Sequence, residues 1–507
     1  MNPLFDDTVR RVIPRWRSLA TTADLGELGP AKAITRHFPS EPLSEKRTDW
    51  LEGPNLFVAT DIVGSALFAD AEEEFVKQAA SLVVHPDSGA TFIARRAAEK
   101  LLDPTRKVEE PTSTLVTRTE IYQRLHDTRH TLKNDPRNAI AWAEVSYLYT
   151  LVGQPAKASA AMRAAVSLAP HNRYILRSAT RLFVHEKDPA KALWLLRRSD
   201  RVPHDPWLMA AEIGVAGVMS QTPRVAKAAI AAISSGDFKP RDISEIAVAM
   251  GTLEAEHGNR QKAKKLFRRA LEDPNENVLA QAAWAARVTT RTVDISASDL
   301  NVPYSFEARA RLYAQQKDWE NAFQESARWL NDQRFSIRAA AYASYLAGVV
   351  LAQHENAVTI LEEAAVANPD DWTLRNNLAF SLASIDRTTE AHKAFDSLPD
   401  EAENSYRHGV WLATSGLLRF RDGDTAEGQR LYDEAIELFG RSGFQNARAN
   451  AAIFKAREEL RANLETAEAA LNAAKDWVSK ATSPELETVL EHIDPEKVRE
   501  QMELTRS

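Results

Sequence analysis

Cysteine is absent from this chain of 507 residues. The absence excludes disulfide bridges, catalysis by a thiolate and zinc sites with cysteine ligands, and it is compatible with a reducing compartment. Glycine is scarce, with 18 residues, and no sustained alternation of β-branched residues occurs. A hydrophobic content of 44% with so few glycines favours continuous helix over strand. The composition therefore predicts an all-α protein.

The chain also lacks a long apolar run and a large excess of positive charge. The longest candidate, Ala339 to Ala352, is interrupted by polar residues and is shorter than the ~20 apolar residues of a membrane-spanning helix. The first residues contain no apolar core of a secretory signal, so we expect a cytoplasmic location. A net charge of −7 and an isoelectric point of about 6.0 give no global attraction for nucleic acid.

The sequence signatures of nucleotide-binding loops, zinc proteases, serine hydrolases and calcium-binding loops are missing. His126 and His130 are four residues apart, a spacing at which two imidazoles share one helix face. A third ligand would have to come from elsewhere in the chain, so an exposed helix surface explains the pair better than a metal site. We expect no enzymatic activity, no metal and no cofactor.

What the chain does contain is a pattern of large and small residues with a period of 34. In the window that begins at Ala139, places 4, 7, 8, 11, 20, 24, 27 and 32 are occupied by Trp142, Val145, Ser146, Tyr149, Ala158, Met162, Ala165 and Pro170. The register recurs in windows that begin at Arg173, Trp207, Ser244, Pro303, Arg338, Trp372 and Gly409. Small residues recur at place 20, where two helices must approach closely; the last window has Gly428 there in place of alanine.

This pattern resembles the tetratricopeptide (TPR) repeat, a hairpin of two antiparallel helices. The resemblance is strongest over about 139–272 and 338–400. It implies an α-solenoid, a right-handed superhelix of stacked hairpins with terminal capping helices, whose concave face binds protein or peptide ligands. The usage of alanine and arginine suggests a bacterial source.

Along the chain, the pattern predicts five parts. They are an irregular helical N-terminal region (1–112), a first TPR-like array (113–290), a hinge or loop (291–302), a second array (303–440) and a C-terminal helical cap (441–507). In the first part we expect helices at Asn55–Phe68, Ala71–Val84 and Thr91–Leu102, with linkers at Phe38–Lys46 and Asp103–Ser113. In the last part we expect helices at Phe444–Asn463, Thr466–Lys480 and Ser483–Ile493, and acidic residues that form a solvated cap.

The N-terminus combines apolar residues at helical spacing with arginines. The apolar residues are Phe5, Val9, Val12, Ile13 and Trp16, and the arginines are Arg10, Arg11, Arg15 and Arg17. A basic amphipathic helix can bind an anionic membrane or a partner, but Pro14 would kink or end it. We favour the alternative, a short helix that packs onto the repeats of its own chain.

The TPR resemblance implies which side chains line the groove, because places 2, 5, 9, 12 and 13 of the first helix tend to contact ligand. Carried onto this chain, the implied contacts are Tyr147, Tyr174, Arg177, Arg181, His185, Arg311, Tyr342, Asn376 and Phe380, with Asn377 one place after Asn376; the same places also give Tyr304 and Glu307. For Asn376 and Asn377 we favour a structural role over a specific ligand contact. Asn377 matches the asparagine with which peptide-clamping members hold a ligand's main chain, but the lysines and arginines of that clamp are not reproduced.

Arg177, Arg181 and His185 lie four residues apart, so they share one helix face. Two guanidiniums and an imidazole suit a carboxylate, a phosphate or an acidic peptide. The alternative is that these charged side chains are only solvated.

Two functions remain open from the sequence. The first is a non-catalytic scaffold or a sensor or regulatory subunit that binds a protein or peptide, possibly one with an acidic or carboxylate-bearing segment. The alternative is a regulator that responds to nucleic acid or nucleotide through arginine-rich inner helices, using Arg173–Arg181 together with Arg197, Arg198 and Arg201. The acidic net charge counts against the alternative.

Overall fold

The computed structural model describes residues 10–17, 43–69, 73–90, 92–103, 117–288, 293, 295, 300–399 and 401–493. Within these ranges the chain forms helices, turns and loops, and it contains no β-strand. The all-α class predicted from the composition is therefore confirmed. No helix in the same ranges is long and apolar enough to cross a membrane.

Among the described residues, four helices precede the repeats: α1 (Leu43–Glu52), α2 (Leu56–Ala69), α3 (Glu74–Val84) and α4 (Phe92–Leu102). They share a hydrophobic core that includes Trp50, Ile62 and Val76. Three of the four were predicted, but α1 begins inside the predicted linker Phe38–Lys46, so that prediction was wrong from residue 43 onward. Burial of Trp50 against the other helices stabilises α1, and the local polar sequence does not reveal this tertiary contact. Beyond residue 103, the second predicted linker lies outside the described residues.

The next helices lie between residues 118 and 288. They are α5 (Arg118–Asn134), α6 (Ala139–Leu151), α7 (Pro155–Leu168), α8 (Arg173–His185), α9 (Pro189–Arg198), α10 (Pro206–Val218), α11 (Ala226–Ser235), α12 (Pro240–Glu256), α13 (Arg260–Ala270) and α14 (Glu276–Val288).

Further helices follow between residues 306 and 491. They are α15 (Phe306–Gln315), α16 (Trp319–Asp332), α17 (Ile337–Tyr345), α18 (His354–Ala367), α19 (Trp372–Ser384), α20 (Thr388–Phe395), α21 (Ser405–Arg421), α22 (Thr425–Arg441), α23 (Gln445–Arg461), α24 (Ala467–Lys480) and α25 (Glu485–Glu491).

Short capped turns fix where the helices of each hairpin begin. Asn172 precedes α8, and its side chain accepts a hydrogen bond from the main-chain N–H of Ile175 at 3.2 Å. Asp188 precedes α9 and accepts from the N–H of Lys191 at 3.0 Å, with Pro189 in the first turn. Such caps satisfy amides that have no partner inside the helix, and proline is tolerated at that position because it has no N–H to lose.

The small residues of the repeat lie where the two helices of a hairpin cross. In the first hairpin, Ser146 Oγ donates to the main-chain oxygen of Ala158 at 2.8 Å, and Ala158 is fully buried. In the last hairpin the same two places are Gly416 and Gly428, where a Cβ on Gly428 would lie 2.6 Å from Phe420. Glycine replaces alanine there because this crossing is closer. The architecture is thus an array of TPR-like helical hairpins, as the resemblance implied.

The chain divides into two compact units. The N-terminal unit comprises the described residues of Arg10–Thr150 and Gln154–Ala308, and the C-terminal unit comprises Leu151–Gly153 and the described residues from Arg309 onward. The predicted hinge, 291–302, lies mostly outside the described residues. The five-part division drawn from the sequence stays a prediction.

The C-terminal unit ends in the predicted helices, with α25 packed against α23 and α24. Its acidic residues do not behave alike. Glu485 is buried and accepts a hydrogen bond from the Tyr345 hydroxyl at 3.3 Å, whereas Glu487 is exposed and pairs with Lys317 at 2.6 Å. The solvated cap predicted for this region therefore does not hold for Glu485. The acidic residues from Asp494 onward lie outside the described residues.

Candidate functional site

One face of the N-terminal unit carries acidic and amide side chains. Helices α6, α8, α10, α12 and α14 and the first turn of α15 contribute to it, and its carboxylates include Glu256, Glu276 and Glu307. The stretch Arg10–Arg17 lies against this face. We call this stretch the N-terminal segment and the surface that it contacts the groove.

The N-terminal segment forms neither helix nor strand. The N–H of Ile13 donates to the carbonyl of Arg11 at 2.9 Å, which is the hydrogen-bond pattern of a γ-turn around Val12. Pro14 has no N–H to donate and disfavours helical geometry in the residue before it. The helix predicted here is therefore wrong for the described residues, and its first part lies outside them. The favoured alternative had the location right, on the chain's own repeats, but not the conformation.

Arg10 has the largest set of polar contacts in the segment. Its Nε and Nη2 donate to the two carboxylate oxygens of Glu307, each at 3.1 Å, and its Nη1 donates to Gln281 Oε1 at 2.7 Å. Nη2 also reaches Asn277 Oδ1 at 3.3 Å. The side chain is only 4% exposed. A two-point contact between guanidinium and carboxylate selects arginine over lysine, so the groove contains a specific arginine site.

The other three arginines of the segment also reach carboxylates. The pairs are Arg11–Glu256 at 2.6 Å, Arg15–Glu307 at 2.7 Å and Arg17–Glu276 at 2.7 Å. Every arginine of the segment therefore has an acidic partner in the groove, and Glu307 serves two of them. The match is one of charge as well as of shape.

Aromatic side chains hold the end of the segment. The Trp16 ring is 1% exposed and meets Tyr147 edge to face, with centroids 5.2 Å apart. The Tyr174 hydroxyl donates to the carbonyl of Arg17 at 3.3 Å, and the Arg17 guanidinium lies 4.7 Å from the centre of the Tyr304 ring. Tyr304 has a φ of +62°, a backbone conformation that is strained for an aromatic residue. Such strain recurs at binding sites.

Main-chain atoms of the segment are recognised as well as side chains. The side chain of Gln281 donates to the carbonyl of Arg10 at 2.9 Å, and that of Asn277 donates to the carbonyl of Ile13 at 3.1 Å. The Tyr174 hydroxyl donates to the carbonyl of Arg17. Hydrogen bonds to main-chain carbonyls are how a groove holds a peptide regardless of its side chains.

Gly214 allows the main chain of the segment to approach α10. A Cβ at this position would lie 2.3 Å from the carbonyl oxygen of Val12 and 3.0 Å from its carbon. Backbone atoms cannot move aside as the end of a flexible side chain can, so only glycine is compatible with this contact. Gly214 occupies the small-residue place of its repeat, and here that place accommodates the segment.

Beneath the groove, Arg177 forms a buried pair with Glu245. Its Nη1 and Nη2 donate to the two carboxylate oxygens at 2.7 and 3.2 Å, and the guanidinium lies 5.0 Å from the centre of the Trp207 ring. Glu245 also accepts from Asn277 Nδ2 at 3.2 Å. Arg177 thus positions a groove residue through Glu245, and the groove above it is acidic. This arrangement does not favour the acidic ligand that the sequence suggested.

The two remaining members of the predicted stripe follow on α8. Arg181 and His185 are half-buried. Burial, together with the nearby charge of Arg181, lowers the pKa of His185 to about 3. The imidazole is therefore neutral near pH 7, and the stripe is not a triple cation.

The carboxylates of the groove depend on the arginines of the segment. Burial alone would raise the pKa of Glu276, but Arg17 and Arg15 hold it below its ordinary value. Glu276 and Glu307 are 5% and 2% exposed. A buried charge that loses its partner is strongly destabilising, by roughly 3–5 kcal/mol. An empty groove would therefore favour another cationic occupant.

The C-terminal unit contains a small cavity that brings together three predicted residues. Asn376, Asn377 and Phe380 on α19 line it, with Asn450 on α23 opposite, and the space open to water-sized molecules is ≈ 80 Å³. Asn376 is 2% exposed, and the Oδ1 atoms of Asn376 and Asn450 have no hydrogen-bond partner. Buried amide oxygens without a hydrogen-bond partner suit a bound water or a polar group of a ligand, and the volume limits the occupant to side-chain size.

The last two predicted residues also lie in the C-terminal unit and touch each other. The Arg311 guanidinium lies 5.3 Å from the centre of the Tyr342 ring, and both side chains are 9% exposed. Stacking of this kind immobilises an arginine, which lowers the entropy that a ligand contact would cost.

The repeat register pointed to some of the residues that contact the segment. Tyr147 and Tyr174, predicted from the repeat register, touch the segment, and the same register pointed to Tyr304 and Glu307. It missed Asn277 and the other groove residues on α14, Gln281 and Glu276, because the strong repeat windows stop before that helix. The signal that could have located these residues was the cluster of arginines at the N-terminus, because buried arginines require acidic partners elsewhere in the chain.

No protein-family model and no curated protein matches the chain. The solved structures to which it is similar include a tetratricopeptide repeat protein from Parabacteroides merdae, the human IFIT1 dimer with PPP-AAAA and yeast Tom70. The identities are 14, 13 and 13%, over 65, 76 and 88% of this chain and 99, 95 and 96% of the other, with TM-scores of 0.26, 0.35 and 0.30. Likenesses of this degree specify no ligand for this chain.

Proposed function

We propose that this chain is a non-catalytic scaffold or regulatory subunit that binds an extended segment of a partner protein in the groove of the N-terminal unit. The observation that supports the proposal is that the N-terminal segment lies in this groove. Eight residues of the chain's own N-terminus contact the groove through hydrogen bonds to their main chain, ion pairs and ring contacts. These are the contacts by which a helical groove recognises a peptide.

The ligand chemistry follows from the acidic lining. Glu256, Glu276 and Glu307 match a basic segment, and Tyr147 accepts an aromatic side chain. A partner segment that presents arginines on both sides of an aromatic residue fits best. Asn376, Asn377 and Phe380 are proposed as a second contact region for a polar group. A bacterial source and a cytoplasmic location stay predictions from the composition.

Affinity capture from a lysate of the native organism tests this function. The wild-type chain is compared with Asn277→Ala/Gln281→Ala, which removes two amides that hold the segment's main chain. The matched control is Gln123→Ala/Gln261→Ala, two amide side chains exposed on other helices of the same unit. We expect a partner that the wild type and the control retain and the folded groove variant loses. A partner held equally by all three would contradict the proposal.

A further inference from the structure

We propose that the N-terminal segment is an internal ligand of the groove, and that an arginine-containing segment of a partner protein must displace it in order to bind. This inference rests on the proposed function and adds its regulation: the resting chain inhibits its own binding site. It also specifies the partner chemistry, because whatever enters must satisfy the same buried carboxylates.

The first argument is that the contact is local in space but remote in sequence. Arg10 and Glu307 are separated by 297 positions, and the segment precedes the four helices α1 to α4 and all of the repeats. The repeats form their hairpin cores without it: Ala158 and Ala263 are fully buried at hairpin crossings. The segment is thus an occupant of the groove and not a part of the hairpins.

The second argument is the density of recognition along eight residues. All four arginines are paired, three main-chain carbonyls accept hydrogen bonds, and Trp16 is buried against Tyr147. Apolar packing contributes to this contact, because Val12 and Trp16 are 2% and 1% exposed. The groove in addition matches both the charges and the main-chain atoms of a peptide, which is how a binding site selects a sequence.

The third argument concerns strength. A covalently attached ligand acts at an effective concentration that does not depend on the protein concentration, whereas a partner segment must bind from solution. The segment therefore competes with any partner segment present at micromolar concentration. Weakening the segment while leaving the groove intact should raise the affinity for a peptide in trans, by at least about tenfold.

The test uses the full chain and a fluorescein-labelled peptide with the sequence of residues 10–17. Peptide affinity is measured by fluorescence anisotropy for the wild type and for Arg10→Ala/Trp16→Ala, which alters the segment and leaves the groove unchanged. We expect the double variant to bind the peptide at least about tenfold more tightly than the wild type. A peptide with glutamine in place of its arginines should not bind.

Two further variants show where the peptide binds. Gly214→Ala, added to the double variant, places a methyl group against the carbonyl of Val12 and should abolish binding. Gly251→Ala is the matched control, because the atoms nearest to its Cβ belong to Leu266 and Phe267 and lie at 3.4 Å, an ordinary van der Waals distance. If Arg10→Ala/Trp16→Ala does not fold, Arg15→Ala replaces it in the test, because Arg10 still forms its ion pair with Glu307 in that variant.

Equal binding by the wild type and the double variant, or no binding by a folded double variant, would overturn the internal-ligand proposal. Concentration-dependent dimers of the double variant with added wild type would identify a second copy as the occupant and overturn the partner assignment. The two proposals fail separately. A partner captured through the groove without peptide binding defeats only the internal ligand, and peptide binding with groove-independent capture defeats only the proposed function.

Discussion

At the residue scale, Gly214 sets how closely the N-terminal segment approaches α10. In Gly214→Ala the new methyl group cannot coexist with the carbonyl of Val12 at 2.3 Å, so the segment must leave its position. The side chains of Arg11 and Arg15, largely buried in the wild type, then become accessible. We expect limited trypsin digestion to cleave after these arginines at least about tenfold faster, because proteolysis follows the population of the open state.

Gly251→Ala provides the control for this experiment. It lies on α12 of the same unit and gains only ordinary van der Waals contacts. Its cleavage pattern, read by mass spectrometry, should match that of the wild type. Unchanged protection in Gly214→Ala would show that the segment tolerates the methyl group and that its main chain is not held against α10.

A second residue-scale prediction concerns His354 in the C-terminal unit. Burial, together with the guanidiniums of Arg457 and Arg421, lowers the pKa of this imidazole to about 3, and its Nδ1 has no hydrogen-bond partner. The unfolded chain takes up the proton at a pKa of about 6.5, so it binds more protons than the folded chain between the two values. This contribution to stability is present above pH 6.5 and is lost as the pH falls toward 3.

The variant His354→Gln, which cannot be protonated, isolates this contribution. Between pH 7.5 and 5.5 we expect the wild type to lose about 1.4 kcal/mol more of its free energy of unfolding than the variant does. Urea unfolding at both pH values measures the difference, and the other titrating groups cancel because both proteins contain them. Parallel losses in the two proteins would mean that His354 is accessible to protons in the folded state.

At the element scale, the hairpin crossing is the feature that the sequence specifies best. Ala158 on α7 is fully buried against α6, whereas Ala160, two residues on, is exposed. Ala158→Leu should destabilise the N-terminal unit by roughly 1–3 kcal/mol through overpacking. Ala160→Leu makes the same chemical change on the open side of the helix and should have little effect. Thermal unfolding of both variants measures the contrast, and equal stability would contradict the repeat register.

The helices were predictable because their information is local. A period of 34, small residues at crossings and capping residues such as Asn172 and Asp188 all lie within one hairpin. The N-terminal segment was not predictable in the same way. Its apolar residues have helical spacing, yet Arg10 gains more from Glu307, 297 positions away, than from a turn of helix that Pro14 would interrupt. A contact of that range leaves no periodic trace in a single sequence.

The same difference between local and long-range contacts explains which residues of the candidate site could be predicted. The repeat register placed Tyr147 and Tyr174 on the groove, because first helices supply it. The register could not show that Arg177 is already paired with Glu245 at 2.7 Å, since those two residues belong to different hairpins. The acidic ligand predicted from the sequence rested on the charge of Arg177, and the register does not show that Glu245 balances this charge beneath the groove.

At the scale of the whole molecule, charge favours the peptide-binding function over the nucleic-acid alternative considered from the sequence. The net charge is −7, and three of the arginines predicted for nucleic-acid contact pair with carboxylates. The pairs are Arg173–Asp205 at 2.7 Å, Arg201–Asp205 at 3.2 Å and Arg197–Glu212 at 3.0 Å. Phosphate contacts would have to compete with these bonds in an acidic field.

We therefore expect a labelled single-stranded RNA of 12 nucleotides to bind no more tightly than about 10 µM at roughly 150 mM salt. Fluorescence anisotropy between about 50 and 200 mM salt measures both the affinity and its salt dependence. The arginine-containing peptide, titrated into Arg10→Ala/Trp16→Ala, provides the comparison under the same conditions. Tight RNA binding that falls steeply with salt would instead mean that counterions are released from phosphates, and the nucleic-acid regulator would then replace the peptide scaffold as the better account of this chain.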